Sequence, residues 1–404
     1  MAREDRRSLS ILVGTVTISL ALSATTTWHS HAGADLRERP DRTWMTNGKV
    51  FALVRAGDML VIGGRFTKLL PPRGSDSSPI AVRNLAAIDI DTGRPLAFAS
   101  EVTGADAEVR ALAVADGRLY IAGMFSGLGG SAAKNIGAVR LADASRVASF
   151  SPAISGRVYA LLASSSRLYA GGAFGRVDGA PRAKLAAWDM PAGDLSQSWR
   201  PQTTSGAVRD LEFDASRDSI FIAGAFSAMT QGGADFERAT LAKVDTDDGR
   251  LRPWTPQGVV GDPMTTWAVD ATQRRLHGGL GRGPNYAASF KAKGATGERI
   301  WRLPLTGNVQ AVELSGGGSS LYLGGHFGLN GRSQRVCGSE IRGLLAVNPS
   351  TGAPRCRWLP RLAPFDQNYN GPWAMVVTGN GVWIGGGWTK IGGLEQRNIA
   401  LFSR

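Results

Sequence analysis

Residues able to act as a general base or a nucleophile are sparse in this chain of 404 residues. Of its four histidines, His29 and His31 precede the repeated part of the chain, and His277 and His326 lie within it. Both of the latter belong to apolar strand patterns, which favours packed or solvated histidines over catalytic ones. A serine triad also needs a Gly-x-Ser-x-Gly turn, which the sequence lacks. We therefore expect neither serine hydrolase chemistry nor a histidine-based copper site.

Carboxylates are the other candidates for acid–base chemistry, because glycosidases use pairs of them. Asp89, Asp189 and Asp245 stand at one register of successive repeats, directly after an apolar strand. Their recurrence indicates a structural turn, since a catalytic pair must be singular. A glycosidase or polysaccharide lyase with carboxylates at a channel mouth stays open as the alternative function. No metal site is assigned, because the acidic turns lack the ligand series of a calcium loop, and no cofactor is expected.

Basic residues recur at or just before the predicted third strand of six of the seven repeats. They are Arg83, Lys134, Arg182, Arg238, Arg342 and Arg397. Two interpretations are open: the side chains brace the sheets by covering aromatic rings and bonding carbonyl groups, or they form a cationic rim on one face. The rim interpretation predicts a surface that binds an anionic polymer through many weak contacts acting together.

The element that must position these residues is an apolar strand that ends in paired glycines and an aromatic residue. Its copies are Leu60–Phe66, Leu119–Phe125, Leu168–Phe174, Ile220–Phe226, Leu276–Gly281, Leu321–Phe327 and Val382–Trp388. Successive copies lie about 54 residues apart, a spacing in the range of propeller blades. Paired glycines let a neighbouring backbone or ring approach closely, and the aromatic residue fills the space between sheets.

Six of the seven repeats contain four predicted strands, the fourth marked by a large aromatic residue. The predicted fold is therefore all-β: a single seven-bladed β-propeller of four-stranded blades. The seventh repeat lacks its own fourth strand, whereas an additional fourth-strand marker, Trp44, precedes the first repeat. Lending that segment to the last blade removes an open sheet edge, so we expect a ring closed by an N-terminal strand.

The double-glycine strands resemble those of kelch repeats. The chain is also similar to secreted kelch-like propellers of actinobacteria, through the run Arg83–Asp89 with the following Thr92-Gly93 and through the recurrent aromatic of the fourth strand. Those propellers in turn resemble ectodomains of fungal cortical polarity markers. The resemblance covers about residues 43–404. It implies an exported surface or wall-associated domain without an established activity.

The first 34 residues have the pattern of an export signal. Arg6 and Arg7 precede the apolar run Leu9–Ala24, which at 16 residues is shorter than the roughly 20 that span a bilayer. We therefore assign residues 1–34 to a signal peptide and 35–404 to the propeller, leaving open whether the signal is cleaved and which export route it uses. Because an exported chain meets an oxidising compartment, Cys337 and Cys356, its only cysteines, are predicted to form a disulfide.

The formal net charge of +13 attracts anions. Together with export, this charge predicts a non-enzymatic binding or scaffold module that is secreted or associated with the cell wall. The expected partner is an anionic wall polymer, a glycan or a surface protein. Nucleic acid is not expected in vivo, because export separates the protein from it. We expect a monomer with no stable membrane span once the signal is removed.

Overall fold

A computed structural model describes residues 36–259, 264–328, 333–363 and 371–404. Every regular element in these ranges is a β-strand, in agreement with the predicted all-β class. No helix in these ranges is long and apolar enough to cross a membrane. The predicted signal peptide lies outside the described residues.

The described residues form seven principal antiparallel sheets, which we number 1 to 7 along the chain. The inner strands are Lys49–Ala56, Glu108–Ala115, Arg157–Ala163, Val208–Phe213, Thr265–Ala271, Val309–Leu314 and Pro372–Val377. The second strands, which carry the repeated motif, are Met59–Arg65, Arg118–Met124, Arg167–Ala173, Ser219–Gly224, Arg275–Gly281, Leu321–Gly325 and Gly381–Gly386. The third strands are Leu85–Asp89, Ile136–Arg140, Leu185–Asp189, Leu241–Asp245, Tyr286–Lys291, Leu344–Val347 and Ile399–Ser403.

A regular fourth strand occurs in only two of these described sheets, as Asp194–Leu195 in sheet 3 and Arg299–Pro304 in sheet 5. The prediction of four-stranded blades is therefore wrong for the others. Four of them keep a single bridge at this place, such as Val244 with Leu251 in sheet 4. In sheet 4, which lacks a fourth strand, the tryptophan of the fourth segment bonds the next sheet: Trp254 Nε1 donates to the Lys291 carbonyl of sheet 5 at 2.9 Å. Trp199 of sheet 3 likewise donates to the Asp245 carbonyl of sheet 4 at 2.9 Å.

Short strands gather beside the starts of the inner strands. Most groups combine a piece that precedes an inner strand with a hairpin or strand from further along the chain, and two groups are hairpins alone. The pieces are Met45–Thr46, Lys68–Leu70, Ile80–Ala81, Val102–Thr103, Gly127–Leu128, Ser131–Ala132, Arg176–Val177, Ala180–Pro181, Gln202–Thr203, Ala228–Gln231, Ala234–Glu237, Thr255–Pro256, Thr296–Gly297, Arg335–Val336, Ser339–Glu340, Leu362–Ala363, Lys390–Ile391 and Leu394–Glu395. Because antiparallel strands return to the same end, most of these pieces lie on the face where the inner strands begin.

The inner strands contact one another in series, and the inner strand of sheet 7 contacts that of sheet 1. The repeated glycines explain the close approach. A Cβ atom on Gly63 would lie 2.5 Å from Val109 Cγ1 of the next sheet, and one on Gly385 of sheet 7 would lie 2.5 Å from Val50 Cγ1 of sheet 1. Sheets 7 and 1 are therefore packed by the same contact that joins sheets 1 and 2.

The N-terminal segment 36–46 lies along the third strand of sheet 7. The backbone N–H groups of Arg37 and Asp41 donate to the carbonyls of Ser403 and Leu401 at 2.9 and 2.8 Å. The sequence suggests that Trp44 is the fourth-strand aromatic of the last sheet, but Trp44 does not occupy that position. That place belongs to Thr43, which lies against Gly93, while Trp383 from the second strand of sheet 7 donates its Nε1 hydrogen to the Ile90 carbonyl at 2.8 Å.

Cys337 and Cys356 lie at disulfide distance in sheet 6, with their Cα atoms 5.5 Å apart. Cys337 occupies the turn of a short hairpin, and Cys356 lies in the fourth segment, two residues after the bridge residue Pro354. The bond joins residues 19 apart in sequence. A loop of that size is associated with about 3 kcal/mol of stabilisation.

Candidate ligand-binding channel

All seven inner strands contain a β-bulge near their start. In each pairing one residue is skipped, as between Val50 and Ala52 of sheet 1. A bulge leaves one residue without a partner in the ladder and redirects its side chain. The skipped residues are Phe51, Arg110, Tyr159, Arg209, Trp267, Gln310 and Trp373, which we call the bulge ring. All seven line one cavity of about 270 Å³ that is bounded by every inner strand, so we call it the channel.

Aromatic rings and cations alternate in the bulge ring from Phe51 to Trp267, and Gln310 then stands where the alternation would place a third cation. The Arg110 guanidinium carbon lies 3.7 Å from the centroid of Phe51. The Arg209 guanidinium carbon lies between Tyr159 at 4.2 Å and Trp267 at 4.7 Å. Each contact is an attraction between a cation and the negative face of a ring. The stacking holds both guanidinium groups in the channel rather than in bulk water.

Arg110 is further positioned by Glu108, a buried residue that is 4% exposed. Glu108 forms an ion pair with Arg110 at 2.9 Å and a second one with Arg157 of sheet 3 at 2.8 Å. Burial alone raises the pKa of Tyr159, but its hydrogen bond from Arg157 and the charge of Arg209 together lower that pKa below its usual value. One buried carboxylate thus orients two cations beside the ring.

Several hydrogen-bonding groups of the bulge ring have no partner within the described part of the protein. Arg209 forms no ion pair there, and burial lowers the pKa of its guanidinium. Gln310 is 4% exposed, and neither its amide oxygen nor its amide nitrogen is hydrogen-bonded. The indole N–H groups of Trp267 and Trp373 are also buried without acceptors. Buried polar groups in folded proteins normally have partners, so these groups are available to bond a ligand or ordered water.

Three carboxyl groups line the channel from sheets 4 and 6, and a fourth, from sheet 5, acts on them through its charge. We call the four the channel carboxyls: Asp210, Glu212, Glu313 and Asp270. Three of them accept a backbone N–H from the inner strand of the following sheet. Asp210 bonds Val269 at 2.8 Å, Asp270 bonds Leu314 at 2.6 Å, and Glu313 bonds Val377 at 3.3 Å. Glu212 has no hydrogen-bond partner among the described residues.

The channel carboxyls favour the protonated state more than exposed carboxyls do. Burial, together with the charge of Asp270, raises the pKa of Glu313 to about 8. Burial raises the pKa of Asp210 to about 7 and that of Asp270 to about 6, although backbone N–H groups oppose the shift in both. Burial and the three other carboxyls raise the pKa of Glu212 well above its usual value. Near neutral pH the channel carboxyls are therefore partly protonated. The described residues contain no cluster of acidic, histidine or cysteine side chains able to hold a metal ion.

The six predicted rim residues do not share one environment. Arg83, Lys134 and Arg397 are exposed, and Arg83 and Arg397 pair with Glu101 and Glu395. The other three are more enclosed. Arg182 is 3% exposed and donates to the Pro181 and Ser196 carbonyls, Arg238 donates to the carbonyls of Glu237 and Arg252, and Arg342 pairs with Glu340.

Three of the predicted rim residues are followed by an asparagine with the same structural role. Asn84 adopts a left-handed conformation with φ of 64°. Its side chain accepts a hydrogen bond from the Phe66 N–H and donates one to the Val102 carbonyl. Asn135 and Asn398 make the same pair of bonds in sheets 2 and 7. In these three sheets the asparagine side chain therefore ties a residue just after the second strand to the segment that leads to the next sheet.

The histidines and the recurrent aspartates have structural surroundings, as predicted. His277 is 1% exposed and lies against Trp301, and burial lowers its pKa to about 4. His326 packs edge-on against Trp373 of the bulge ring, with ring centroids 6.1 Å apart. Asp89 accepts hydrogen bonds from the side chain and backbone of Thr92, which lower its pKa.

Sequence reasoning missed both the bulge ring and the channel carboxyls. A signal was present, because Arg110, Arg209 and Gln310 interrupt otherwise apolar strands, as do the channel carboxyls. Charged residues are rarely buried in a strand without a reason. The signal was obscured because a bulge places its extra residue outside the two-residue alternation on which strand interpretation depends.

Comparison with known proteins supports the architecture alone. No protein-family profile and no curated protein sequence matches the chain. Among solved structures, the β-propeller domain of Myceliophteria thermophila Cps50 (Swd1) has a TM-score of 0.54 at 11% identity, covering 92% of this chain and 100% of that one. The WD40 β-propeller domain of Doa1 has a TM-score of 0.53 at 11% identity, over 90% and 97% of the two chains. The chain folds as a β-propeller.

A computationally designed protein, Ika8, is also similar, with a TM-score of 0.51 at 13% identity over 90% of this chain and all of the other.

In a propeller the inner strands surround the central channel. The ring of bulged side chains therefore lies at one mouth of the channel, and the channel carboxyls lie deeper. At these identities the likeness gives no information about the ligand.

Proposed function

We propose that this protein is a non-enzymatic, extracytoplasmic binding propeller whose channel mouth binds an acidic glycan or another anionic wall polymer. The observation that carries the proposal is the bulge ring. It presents a guanidinium without a carboxylate partner, an unpartnered amide and two indole N–H groups beside aromatic faces. Aromatic faces suit sugar rings, and guanidinium groups suit carboxylate or phosphate groups. Pockets of this kind are mainly apolar with a few convergent polar groups.

The proposal includes a seven-bladed ring closed by the N-terminal segment. Seven principal sheets among the described residues, and the contact of sheet 7 with sheet 1, support that count. The backbone hydrogen bonds of Arg37 and Asp41 with sheet 7 support the closure. The cysteine pair and the N-terminal signal pattern support an extracytoplasmic location, because disulfides persist in oxidising compartments.

The alternative, a glycan-processing enzyme, would need a carboxyl pair free to act on the ligand. Asp210, Asp270 and Glu313 instead accept hydrogen bonds from neighbouring inner strands. Their carboxyl groups therefore satisfy backbone groups that face the channel, which is a structural task. Glu212 lacks such a bond, but a single carboxyl does not provide both an acid and a base or nucleophile. Binding is the better-supported function.

The predicted rim is a second contact region for the same polymer. Arg83, Lys134 and Arg397 are its exposed members and are the ones that an extended chain can reach. Exposed cations contribute little individually, so their effect is expected on salt sensitivity more than on recognition. Arg182, Arg238 and Arg342, which bond carbonyl groups or a neighbouring carboxylate, are expected to contribute mainly through the shape of the face.

The test is a glycan and wall-polymer binding screen at two salt concentrations with three proteins. They are the wild type, Arg209→Gln at the channel mouth, and a rim variant that combines Arg83→Ser, Lys134→Ser and Arg397→Ser. We expect Arg209→Gln to reduce binding of an acidic glycan by about tenfold or more, because a charge-assisted contact is lost. The rim variant is expected to retain selectivity and to lose part of the salt dependence.

Other results would contradict the proposal. Unchanged binding in Arg209→Gln, with wild-type melting, would remove the channel mouth from recognition. Loss of binding in the rim variant alone would show that the polymer binds at the rim and not at the channel mouth. Conversion of a bound glycan to shorter or unsaturated products, abolished by Glu212→Gln, would establish the enzymatic alternative instead.

A further inference from the structure

None of the channel carboxyls forms an ion pair within the described part of the chain, although the protein carries a net charge of +13. Two cations of sheet 4 have other partners. Lys243 pairs with Asp214 at 2.8 Å, and the Arg217 guanidinium lies 4.1 Å from the Phe213 ring. Four carboxyl groups in a confined channel repel one another when ionised. A positively charged ligand group would relieve that repulsion.

An independent observation points to a ligand in the same cavity. Gln310 lines the channel, is 4% exposed, and leaves both its amide oxygen and its amide nitrogen without partners. It stands on the inner strand of sheet 6, three residues before Glu313. Its oxygen is an acceptor for an N–H donor, and its nitrogen is a donor for a hydroxyl or carboxylate oxygen. A polar amide buried in this way is costly unless something bonds it.

We propose that the deeper channel is a subsite for a primary ammonium group, so that the bound glycan ends in an amino sugar whose nitrogen is free rather than acetylated. This inference rests on the proposed function in taking the channel as the binding site. Glu212, which has no hydrogen-bond partner, is the principal contact, with Glu313 beside it, and Gln310 lies nearer the mouth, where it can bond the same sugar. Arg209 and Glu212 are three residues apart on one strand, a rise of about 10 Å, so the acidic group and the ammonium group of the ligand belong to different sugars.

The subsite should be linked to protons. The charged groups around Glu212 are Asp210 on its own strand, Asp270 and Glu313 on the next two inner strands, and Arg217 in the adjoining turn. Because burial holds the pKa values of three of these carboxyls near 6 to 8, an ammonium group that binds to them displaces protons. Affinity for an amine is therefore expected to fall between pH 7 and pH 5.5.

The experiment compares D-glucosamine with N-acetyl-D-glucosamine, which differ only in the acetylation of the amine. Isothermal titration at pH 7 in two buffers of different ionisation enthalpy measures both affinity and proton release. We expect glucosamine to bind about tenfold more tightly, to release protons, and to lose that advantage in Glu212→Gln. Glu313→Gln serves as a second variant if the first is unstable, and Glu237→Gln, an exposed residue of an outer hairpin, is the matched control.

D-glucuronic acid, titrated in parallel, reports on the channel mouth alone. Glucuronic acid binding with no preference for glucosamine would overturn the ammonium subsite while leaving the proposed function intact. Equal binding of the two amino sugars, or a preference that survives Glu212→Gln, would also overturn it. A glucosamine preference that disappears in Glu212→Gln supports the subsite even if glucuronic acid fails to bind, in which case the proposed acidic ligand is the part that fails.

Discussion

At the scale of single residues, the channel depends on polar groups placed in strands that are otherwise apolar. Glu313 and Asp270 satisfy backbone N–H groups that would face the channel without a partner. Their carboxyls are buried to do so, which disfavours the charged form. The same residues therefore contribute to the fold in their protonated state and to the electrostatics of the channel when ionised.

This burial predicts a decrease in stability at alkaline pH. The folded-state pKa of Glu313 is about 8, above the usual value of 4.5, so the folded protein binds more protons than the unfolded chain between those values. The resulting stability is fully present below pH 4.5 and is lost as pH rises through 8. We expect the free energy of unfolding to be lower at pH 9 than at pH 7 by on the order of 1 kcal/mol from this group.

Urea denaturation at the two pH values measures this difference. Glu313→Gln should reduce it, because the amide does not ionise but still accepts the Val377 hydrogen bond. Glu237→Gln should leave it unchanged. His277, with its pKa lowered to about 4 by burial, acts in the opposite direction and only below about pH 6.5, outside the range compared. If Glu313→Gln showed the same difference in unfolding free energy between pH 7 and pH 9 as the wild type, the effect would not come from Glu313.

At the scale of strands, two devices recur around the molecule. The bulge near the start of each inner strand directs one side chain into the channel. The first glycine of the second strand lets the next inner strand approach. In sheet 3, a Cβ atom on Gly171 would lie 2.4 Å from Val208 Cγ1 of sheet 4. The second device sets the distance between sheets and hence the width of the channel.

A single methyl group tests this packing. Gly171→Ala is expected to destabilise the protein by about 1–3 kcal/mol, because the new Cβ overlaps a fully buried valine. Gly175→Ala is the control, since nothing lies within 4 Å of a Cβ there. That variant should remain within about 0.5 kcal/mol of wild type by the same denaturation measurement. Equal stability of the two variants would show that the sheets are not packed as described.

At the scale of the whole molecule, the propeller must join its two ends. The N-terminal segment bonds the third strand of sheet 7, and Gln396 of that sheet donates to the Thr43 carbonyl at 3.2 Å. Asn398 likewise donates to the Thr46 carbonyl at 2.9 Å. An unpaired strand edge would otherwise be exposed at this point. The closure proposed above therefore rests on bonds between residues more than 350 positions apart in sequence.

Removal of that segment is expected to lower the melting temperature. A chain beginning at residue 47 is compared with one beginning at residue 36, so that only the bonded segment differs. Each kcal/mol lost corresponds to about 2–4 °C for domains of 150–250 residues, and a decrease on the order of 10 °C is expected from several lost contacts. Differential scanning calorimetry provides the measurement. An unchanged melting temperature would contradict a closure made by residues 36–46.

The sequence by itself determined the features that depend on local pattern. The paired glycines and alternating apolar residues specify the second strands, and their predicted bounds differ from the observed ones by only one or two residues. The all-β class follows from that pattern, and the pairing of Cys337 with Cys356 follows from their being the chain's only two cysteines. These features are readable because each depends on residues close together in sequence, or on the two cysteines being the sole pair.

The tertiary structure decided which side chains meet. Trp383, not Trp44, supplies the indole that bonds sheet 1 at the closure, since the choice depends on the space left beside Gly93. The fourth segments are held by aromatic rings on the neighbouring sheet more than by a backbone ladder. Above all, the bulges gather one residue from each of seven distant strands into a single ring. Local periodicity carries no information about that convergence, because the convergence arises only when the sheets pack around a common channel.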